Sequence, residues 1–284
     1  MGVKSTIEWT DATWNVAVGC TKVDADCLNC YMYRDSLNGT RYEPKQVRRT
    51  KTVFNLPLRI KQPSRIFTSS LTDVFHESID PWRQEVWDII TKCPQHTFQI
   101  LTKRPERIIS QLPMDQDYLS ITPNIWLGTS IGSQNSQRRV IDLLAVQTLG
   151  VLFVSCEPLY GPIDLIDITG KLGSIDLQID ALNGRCIKKY PGGSERLCPI
   201  HRLNWVIVGG ESGNDRGQYR YRECKLEWIE KIVNDCKEAA VPVFIKQLGT
   251  HLAKKLGLKD RHGRDMDEWP EHLRIRQFPN ANKV

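Results

Sequence analysis

Short apolar runs alternate with amphipathic stretches along most of the chain. Seven runs rich in β-branched and aromatic residues predict strands at 13–18, 66–69, 98–102, 125–129, 152–155, 205–208 and 243–245. Between them, apolar residues recur at helical spacing at 82–92, 105–111, 137–149 and 225–239. Apolar strands that alternate with amphipathic helices predict parallel βαβ units, in which both faces of the sheet are covered.

The number of predicted strands indicates the class of fold. We expect an α/β protein with about seven strands, built as a full or partial parallel β/α barrel of the TIM type. A doubly wound open sheet is the alternative. The pattern predicts a single domain over residues 1–284, with an insertion at 172–203 between the fifth and sixth strands.

Polar segments follow six of the predicted strands. They are SSLTDVFH (69–76), TKRPER (102–107), TSIGSQ (129–134), CEPLYGP (156–162), GGESG (209–213) and KQLG (246–249). The carboxyl ends of barrel strands share one face, where active sites are built. We therefore expect a common pocket at these ends. The alternative interpretation is that strand ends are polar because they meet solvent.

Composition narrows the class of protein further. The chain has 284 residues, 40% of them hydrophobic and 25% charged, which excludes a disordered chain, a collagen-like repeat and a coiled coil. Its apolar runs are too short to cross a bilayer, and its start lacks the apolar region of a signal peptide. We expect a soluble, unsecreted protein. The net charge of +6 favours a polyanionic partner without identifying one.

The nine cysteines separate into groups. An odd number in an unsecreted chain is a poor disulfide framework. Cys93 and Cys236 lie on apolar helix faces, so we expect both in the core. Cys20, Cys27 and Cys30 form the spacing C-x6-C-x2-C in a polar loop. Three thiolates there could hold one metal centre, and a [4Fe–4S] cluster is favoured over zinc because no fourth zinc ligand is nearby. A chance spacing is the remaining alternative.

Two further stretches bear on ligands. In the insertion, Cys186, Cys198 and His201 resemble part of a zinc site, for which Cys224 is a candidate fourth ligand. The stretch 41–65 has a single acid, Glu43, and its basic residues are Arg41, Lys45, Arg48, Arg49, Lys51, Arg59, Lys61 and Arg65. With Tyr42 and Phe54 interleaved, it could track a phosphate backbone. A solvated basic loop is an equally good interpretation.

A cysteine triad after the first strand of a β/α barrel resembles the radical S-adenosylmethionine (SAM) superfamily. The segments FTSSLTDVFHESID, FQILTKRPERI, IWLGTSIG and RRVIDLLAVQTLGVLFVSCEPLYGPID are similar, in order, to the branch that contains spore photoproduct lyase. WNVAVGCTKV, WVIVGGESG and FIKQLG resemble an uncharacterised phage protein family. The resemblance covers nearly the whole chain except the insertion.

The chain departs from the radical SAM pattern in three places. Members usually space the triad C-x3-C-x2-C, whereas six residues separate Cys20 from Cys27. An aromatic residue commonly precedes the last cysteine, whereas here Tyr31 follows it. The GGE segment, which usually follows the second strand, occurs only after the sixth, so the resemblance gives Glu211 no role in binding methionine.

The resemblance implies a cofactor and its contacts. Cys20, Cys27 and Cys30 would hold a [4Fe–4S] cluster that cleaves SAM to a 5′-deoxyadenosyl radical. Lys103 would face the SAM carboxylate, and Ser70, Ser130 and Tyr31 would be further SAM contacts. Groups expected to face the substrate are Asp73, Glu157, Glu211, Lys246 and Gln247, with Cys156 as a candidate hydrogen donor.

The resemblance and the basic stretch together lead to a functional hypothesis. We expect modification or rearrangement of a nucleic-acid base, such as a phage thymine derivative, in DNA rather than RNA or in a free nucleotide. A flavodoxin or ferredoxin would supply electrons in the cytoplasm of a bacterial or phage-infected cell. The alternatives are a DNA repair enzyme of the photoproduct-lyase type and a non-catalytic, metal-stabilised nucleic-acid-binding protein.

Overall fold

The computed structural model describes residues 5–33, 43–113, 122–217 and 219–279. The chain divides into two compact units. The first unit is 1–129 with 148–150, and the second is 130–147 with 151–284.

The first unit is built on parallel strands. Its strands are β1 (Ala12–Trp14), β2 (Ala17–Val18), β3 (Arg48–Arg49), β4 (Arg65–Thr68), β5 (Thr97–Thr102) and β6 (Ile125–Ser130, whose last residue belongs to the second unit). Strands β1, β4, β5 and β6 are neighbours in that order, and β2 pairs with β3 in a separate antiparallel ladder. Helix α1 (Arg83–Thr91) lies between β4 and β5 in sequence.

Aromatic side chains fill the core of the first unit. Trp14 is fully buried, packs edge-on against Phe98 at 5.8 Å between ring centroids, and donates from its indole N–H to the Phe54 carbonyl at 2.8 Å. Strand β6 is buried along its whole length, as expected for a strand covered on both faces. A packed core therefore supports the ends of these strands.

The second unit combines a parallel and an antiparallel part. Its elements are α2 (Arg139–Leu144), β7 (Leu152–Leu159), β8 (Ile168–Leu172), β9 (Ile175–Asp180), β10 (Arg185–Lys189), β11 (Glu195–Pro199), β12 (Trp205–Gly210), α3 (Leu226–Glu238), β13 (Val243–Gln247) and α4 (Gly249–Lys255). Strands β7, β12 and β13 are parallel neighbours. Strands β8 to β11 form an antiparallel sheet in the order β11-β10-β9-β8.

The seven predicted parallel strands are confirmed, as is the mixed α/β class. Helices α1 and α3 match the predicted 82–92 and 225–239, and Cys93 and Cys236 are buried as expected. Closure into a barrel stays a prediction. Among the described residues, no helix has the length and apolar character needed to span a membrane.

Three elements differ from the prediction. The stretch 105–111 forms two short 3-10 turns, Pro105–Arg107 and Ile109–Gln111, in which bonds such as Ile108 N–H to Pro105 O join residues three apart. Helix α2 covers only part of 137–149. The sheet from β8 to β11 begins four residues before the predicted insertion.

Candidate functional site

The cysteine loop starts at a glycine that no other residue could replace without strain. Gly19 has φ +105°, and an added Cβ would lie 2.4 Å from the Gln46 carbonyl oxygen. Its N–H donates to Leu71 O at 3.1 Å, and Thr72 Oγ1 donates to Gly19 O at 2.6 Å. The segment after β4 therefore holds the start of the loop, where Cys20 lies.

The second half of the loop folds on itself. Asp24 accepts from Asp26 N–H at 2.9 Å and begins a 3-10 turn over Ala25–Cys27, a capping role for which aspartate is well suited. Cys27 N–H donates to Asp24 O at 3.0 Å. The turn ends at Cys27, and Cys30 follows three residues later.

The three loop cysteines are free thiols of intermediate exposure. The pKa of Cys20 is raised to about 12, first by burial and then by the Asp73 charge, while Arg104 opposes the rise. Burial also raises the pKa of Cys30, and the Lys103 charge opposes it. Cys27 adds a smaller electrostatic contribution to both. The three sulfurs therefore lie within electrostatic reach of one another.

The loop has the donor chemistry of a metal centre in an open arrangement. Within the described ranges, no three His, Cys, Asp or Glu side chains are close enough together to hold a metal ion. Arg104 beside Cys20 and Lys103 near Cys30 favour the thiolate form, although burial keeps the pKa of both thiols raised. Ligation would require the loop to bring the sulfurs together.

Asp73, near the loop, accepts four hydrogen bonds through its carboxylate. It is buried, and its Oδ1 accepts from Thr102 Oγ1 at 2.7 Å and from Phe75 N–H at 2.9 Å. Its Oδ2 accepts from Lys103 N–H at 3.0 Å and from Arg104 Nη1 at 3.3 Å. The carboxylate thus ties the segment after β4 to the end of β5.

Arg104 joins the strand ends to the cysteine loop. Its side chain is 9% exposed, and Nη1 lies 3.9 Å from Cys20 Sγ. Nη2 donates to Thr21 O at 3.1 Å and to Thr21 Oγ1 at 2.8 Å. One buried cation therefore contacts both the Asp73 carboxylate and the first cysteine of the triad.

His76 supports the same corner of the site. Its Nδ1 accepts from Ser78 N–H at 3.1 Å, so the neutral ring carries its proton on Nε2 and donates to Thr21 Oγ1 at 2.9 Å. Burial lowers the pKa of His76, and the Arg104 charge lowers it further. His76 is therefore neutral at physiological pH.

Three of the predicted SAM contacts surround the loop. The Tyr31 hydroxyl donates to the Ser70 carbonyl, and Asn15 Nδ2 donates to Ser70 Oγ at 3.0 Å. The Lys103 ammonium is half-buried and acts on Cys30 through its charge. The fourth, Ser130, is buried in the second unit, where its carbonyl accepts from Arg139 at 2.8 Å.

The second unit brings its own strand-end groups together. Lys246 Nζ lies 2.5 Å from Glu157 Oε1, with both side chains mostly buried. Glu211 is clasped by Arg222, whose Nε and Nη2 donate at 3.0 and 2.7 Å. The Arg222 guanidinium also stacks 3.7 Å above the Tyr160 ring, a favourable cation–π geometry.

Two further predicted substrate groups are buried in this unit. Cys156 is 0% exposed on β7, opposite Val208 of β12. The Gln247 side chain donates to Gly210 O at 2.9 Å. Cys156 therefore has no exposed surface, and Gln247 serves a structural contact between neighbouring strands.

The structure brings together two of the four zinc candidates. Cys186 and Cys198 lie directly opposite each other on β10 and β11. The His201 imidazole instead contacts Gln147 Oε1 at 3.0 Å. Cys224 is fully buried, and burial raises its pKa to about 12.

The basic stretch at 41–65 is partly neutralised within the protein. Arg65 makes a two-pronged contact with Asp11, at 3.1 and 2.9 Å, and lowers the pKa of that carboxyl. Arg49 pairs with Glu85 at 2.5 Å and lies over the Phe54 ring. Arg41 and Tyr42 lie outside the described residues.

Several functional candidates were not singled out from the sequence. Arg104 and His76 stand in the polar segments TKRPER and SSLTDVFH, so their position after a strand was the available signal. Arg222 lies in the loop before α3, outside any strand end, and gave no such signal. Its contact with Glu211 spans 11 residues and depends on the folded loop.

Comparison with known protein families finds one family that matches most of the chain. The profile of a family described as "Protein of unknown function (DUF5131)" matches residues 4–273. No curated protein and no solved structure matches the chain.

Proposed function

This chain is a member of the DUF5131 family, and we propose that it is a radical SAM enzyme acting on a nucleic-acid base or nucleotide. In this proposal Cys20, Cys27 and Cys30 ligate a [4Fe–4S] cluster. When bound, such a cluster supplies the electron that cleaves SAM to a 5′-deoxyadenosyl radical.

One observation carries the proposal. A loop with three free thiols meets a buried carboxylate–guanidinium pair, Asp73 and Arg104, at the ends of parallel strands. A structural metal loop needs no such pair, whereas a reactive site built on strand ends does need fixed charges beside its cofactor.

The chain's own residues suit a zwitterionic cosubstrate. Lys103, half-buried beside Cys30, offers an ammonium to a carboxylate. Tyr31 is 41% exposed and its hydroxyl donates to the Ser70 carbonyl, so its ring would be available to contact an adenine. Asp73 already has four donors, so we assign it to holding Arg104 rather than to proton transfer.

The substrate assignment rests on charge. Lys45, Lys51 and Lys61 are exposed and have no ion-pair partner in the part of the chain that is described. They provide three cations for phosphates on the unit that carries the cysteine loop.

The test is anaerobic reconstitution with iron and sulfide, followed by dithionite and SAM. We expect a brown chromophore and 5′-deoxyadenosine from the wild type. Cys27→Ala should lose both. Cys198→Ser, which changes a cysteine of similar exposure outside the loop, should keep both.

The same experiment separates the rival functions. Stoichiometric zinc without chromophore or SAM cleavage would favour a metal-stabilised nucleic-acid-binding protein. If SAM is cleaved, incubation with undamaged DNA, ultraviolet-damaged DNA and free nucleotides distinguishes base modification from photoproduct-lyase-type repair. Turnover of none of these, with turnover of an unrelated small molecule, would overturn the nucleic-acid assignment.

A further inference from the structure

The first cysteine of the triad differs from the other two in its surroundings. Within the described residues, the Cys20 sulfur is the only one of the three within hydrogen-bond reach of a side-chain cation, Arg104 at 3.9 Å. Lys103 influences Cys30 through its charge alone, and Lys22 is occupied by Leu28 O at 2.9 Å.

Contacts with Asp73, Thr21 and Thr102 hold Arg104 in place, the first two through its side chain and the third through its backbone. Asp73 fixes Nη1 at 3.3 Å, and Thr21 accepts from Nη2 through both its carbonyl and its hydroxyl. The Arg104 backbone N–H donates to Thr102 Oγ1 at 2.9 Å. Because a guanidinium has five donors in a rigid fork, these contacts fix the direction of Nη1 toward Cys20.

We propose that Arg104 is a positioning residue for the Cys20 thiolate and sets the reduction potential of the cluster. This inference rests on the proposed function. A hydrogen bond from a cation to a ligating sulfur stabilises the more negative, reduced cluster and so raises its potential. Asp73 holds Arg104 at the sulfur, while its own charge opposes that of Arg104 there.

Arg107 provides a matched control one turn further along the chain. It also bears a guanidinium and contacts the same region, donating to Phe75 O at 2.7 Å and to Asp80 at 2.8 Å. Within the part of the chain that the structure describes, its side-chain hydrogen bonds are with Phe75 and Asp80 and not with a triad cysteine. Arg107→Gln removes an equal charge at a greater distance from the sulfur.

The experiment is an EPR-monitored redox titration of reconstituted wild type, Arg104→Gln, Arg104→Lys and Arg107→Gln, with iron and sulfide counted in each. We expect Arg104→Gln to lower the ratio of reduced to oxidised cluster at a fixed potential about tenfold, which corresponds to 59 mV for one electron. Arg104→Lys, which keeps the charge without the fork, should fall between. Arg107→Gln should match the wild type.

A second variant covers the case in which Arg104→Gln takes up no cluster. Thr21→Val removes one acceptor of the Arg104 fork and keeps the guanidinium, so it should shift the potential in the same direction by less. Wild-type potentials in Arg104→Gln, or in both Arg104→Lys and Thr21→Val, would overturn the proposal. Failure of the wild type to bind a cluster would instead overturn the proposed function.

Discussion

A single buried carboxylate organises the candidate site. Asp73 accepts four hydrogen bonds and balances the buried charge of Arg104. Burying a charge without its partner is far more costly than removing an exposed ion pair. The stability of this corner therefore depends on the carboxylate.

We expect Asp73→Asn to reduce the free energy of unfolding by about 3 kcal/mol, because it removes the buried counter-charge of Arg104 and leaves only the exposed Glu77 carboxylate, 3.9 Å from Nε. Urea denaturation followed by circular dichroism measures the change. Glu85→Gln, which removes the exposed partner of Arg49, is the control and should have a much smaller effect. Equal losses in the two variants would contradict this account.

His76 predicts a dependence of stability on pH. Its folded pKa lies below the ordinary value of 6.5, through burial and then Arg104. As pH falls, the unfolded chain therefore binds a proton before the folded protein does. The His76 contribution to stability is present above about pH 6.5 and is lost as pH falls below it.

We expect His76→Asn to flatten the change in unfolding free energy between about pH 7.5 and pH 5.5. Asparagine keeps an acceptor for Ser78 N–H and cannot titrate. Thr21→Val, which removes the Nε2 partner and leaves the imidazole, should retain the pH dependence. Parallel profiles for the wild type and His76→Asn, from urea titrations at each pH, would rule out this role for the imidazole.

Candidate residues could be recognised where their chemistry is rare in sequence. Three closely spaced cysteines in a polar loop were identified without the fold. The structure places Lys103 beside Cys30, close to the predicted cofactor loop. Arg104 could not be chosen over Lys103 as the Cys20 contact, because two neighbouring cations after a strand differ only in the direction that the turn gives them.

At the scale of elements, helix α4 is bounded by two glycines with positive φ that have different surroundings. At Gly249 (φ +84°), an added Cβ would lie 2.5 Å from the backbone of Gly210. At Gly257 (φ +69°), it would meet nothing within 4 Å. The first glycine permits a close backbone approach to β12, and the second only permits a left-handed turn.

We expect Gly249→Ala to destabilise the protein by at least about 3 kcal/mol, because strain and a backbone clash add together. Gly257→Ala should lose only the conformational term, about 1–2 kcal/mol. Thermal and urea unfolding of both variants measure the difference. Similar losses would mean that the backbone relaxes at Gly249 without penalty.

Elements were predictable where one segment carries its own pattern. Each parallel strand has a continuous apolar run, as in WVIVGG of β12, and all seven were found. The antiparallel sheet was missed although β9 alternates Ile175, Leu177 and Ile179, because its glycines and cysteines favoured a metal-binding interpretation. The seven-residue helix α4 has too few turns to show a periodic pattern.

At the scale of the whole molecule, the net charge is +6, but the basic residues of the 41–65 stretch are not equally available to a partner. Arg49 and Arg65 are neutralised by acids, whereas Lys45, Lys51 and Lys61 project to solvent. Only cations that meet phosphates release counterions from a nucleic acid. The three lysines should therefore control the binding of nucleic acid that we propose.

We expect the triple substitution of Lys45, Lys51 and Lys61 by Gln to weaken binding of single-stranded DNA. It should also reduce the salt slope of log K by about 2, since each phosphate contact contributes about 0.7. Fluorescence anisotropy at several salt concentrations measures the slope. The double variant Asp11→Asn/Arg65→Gln leaves the net charge unchanged and should keep the wild-type slope. A slope unaffected by the triple substitution would exclude this surface.

The class of fold was predictable at this scale, whereas the substrate was not. Parallel α/β organisation follows from repeated local patterns. The arrangement of polar groups at strand ends depends on contacts such as Glu157 with Lys246, which are 89 residues apart in sequence. Such pairs become visible only when the strands are assembled.

The anchoring of Gly19 gives the cysteine loop one fixed end. Cys20 is held by Pro44 O and Arg104, whereas Cys27 is bonded mainly within its own turn. If the three cysteines bind one ligand, the loss of conformational entropy falls on the segment from Lys22 onward, because Cys20 is already ordered. A ligand shared by the three cysteines would therefore meet Cys20 already ordered, and Cys27 and Cys30 would be the residues that adjust to it.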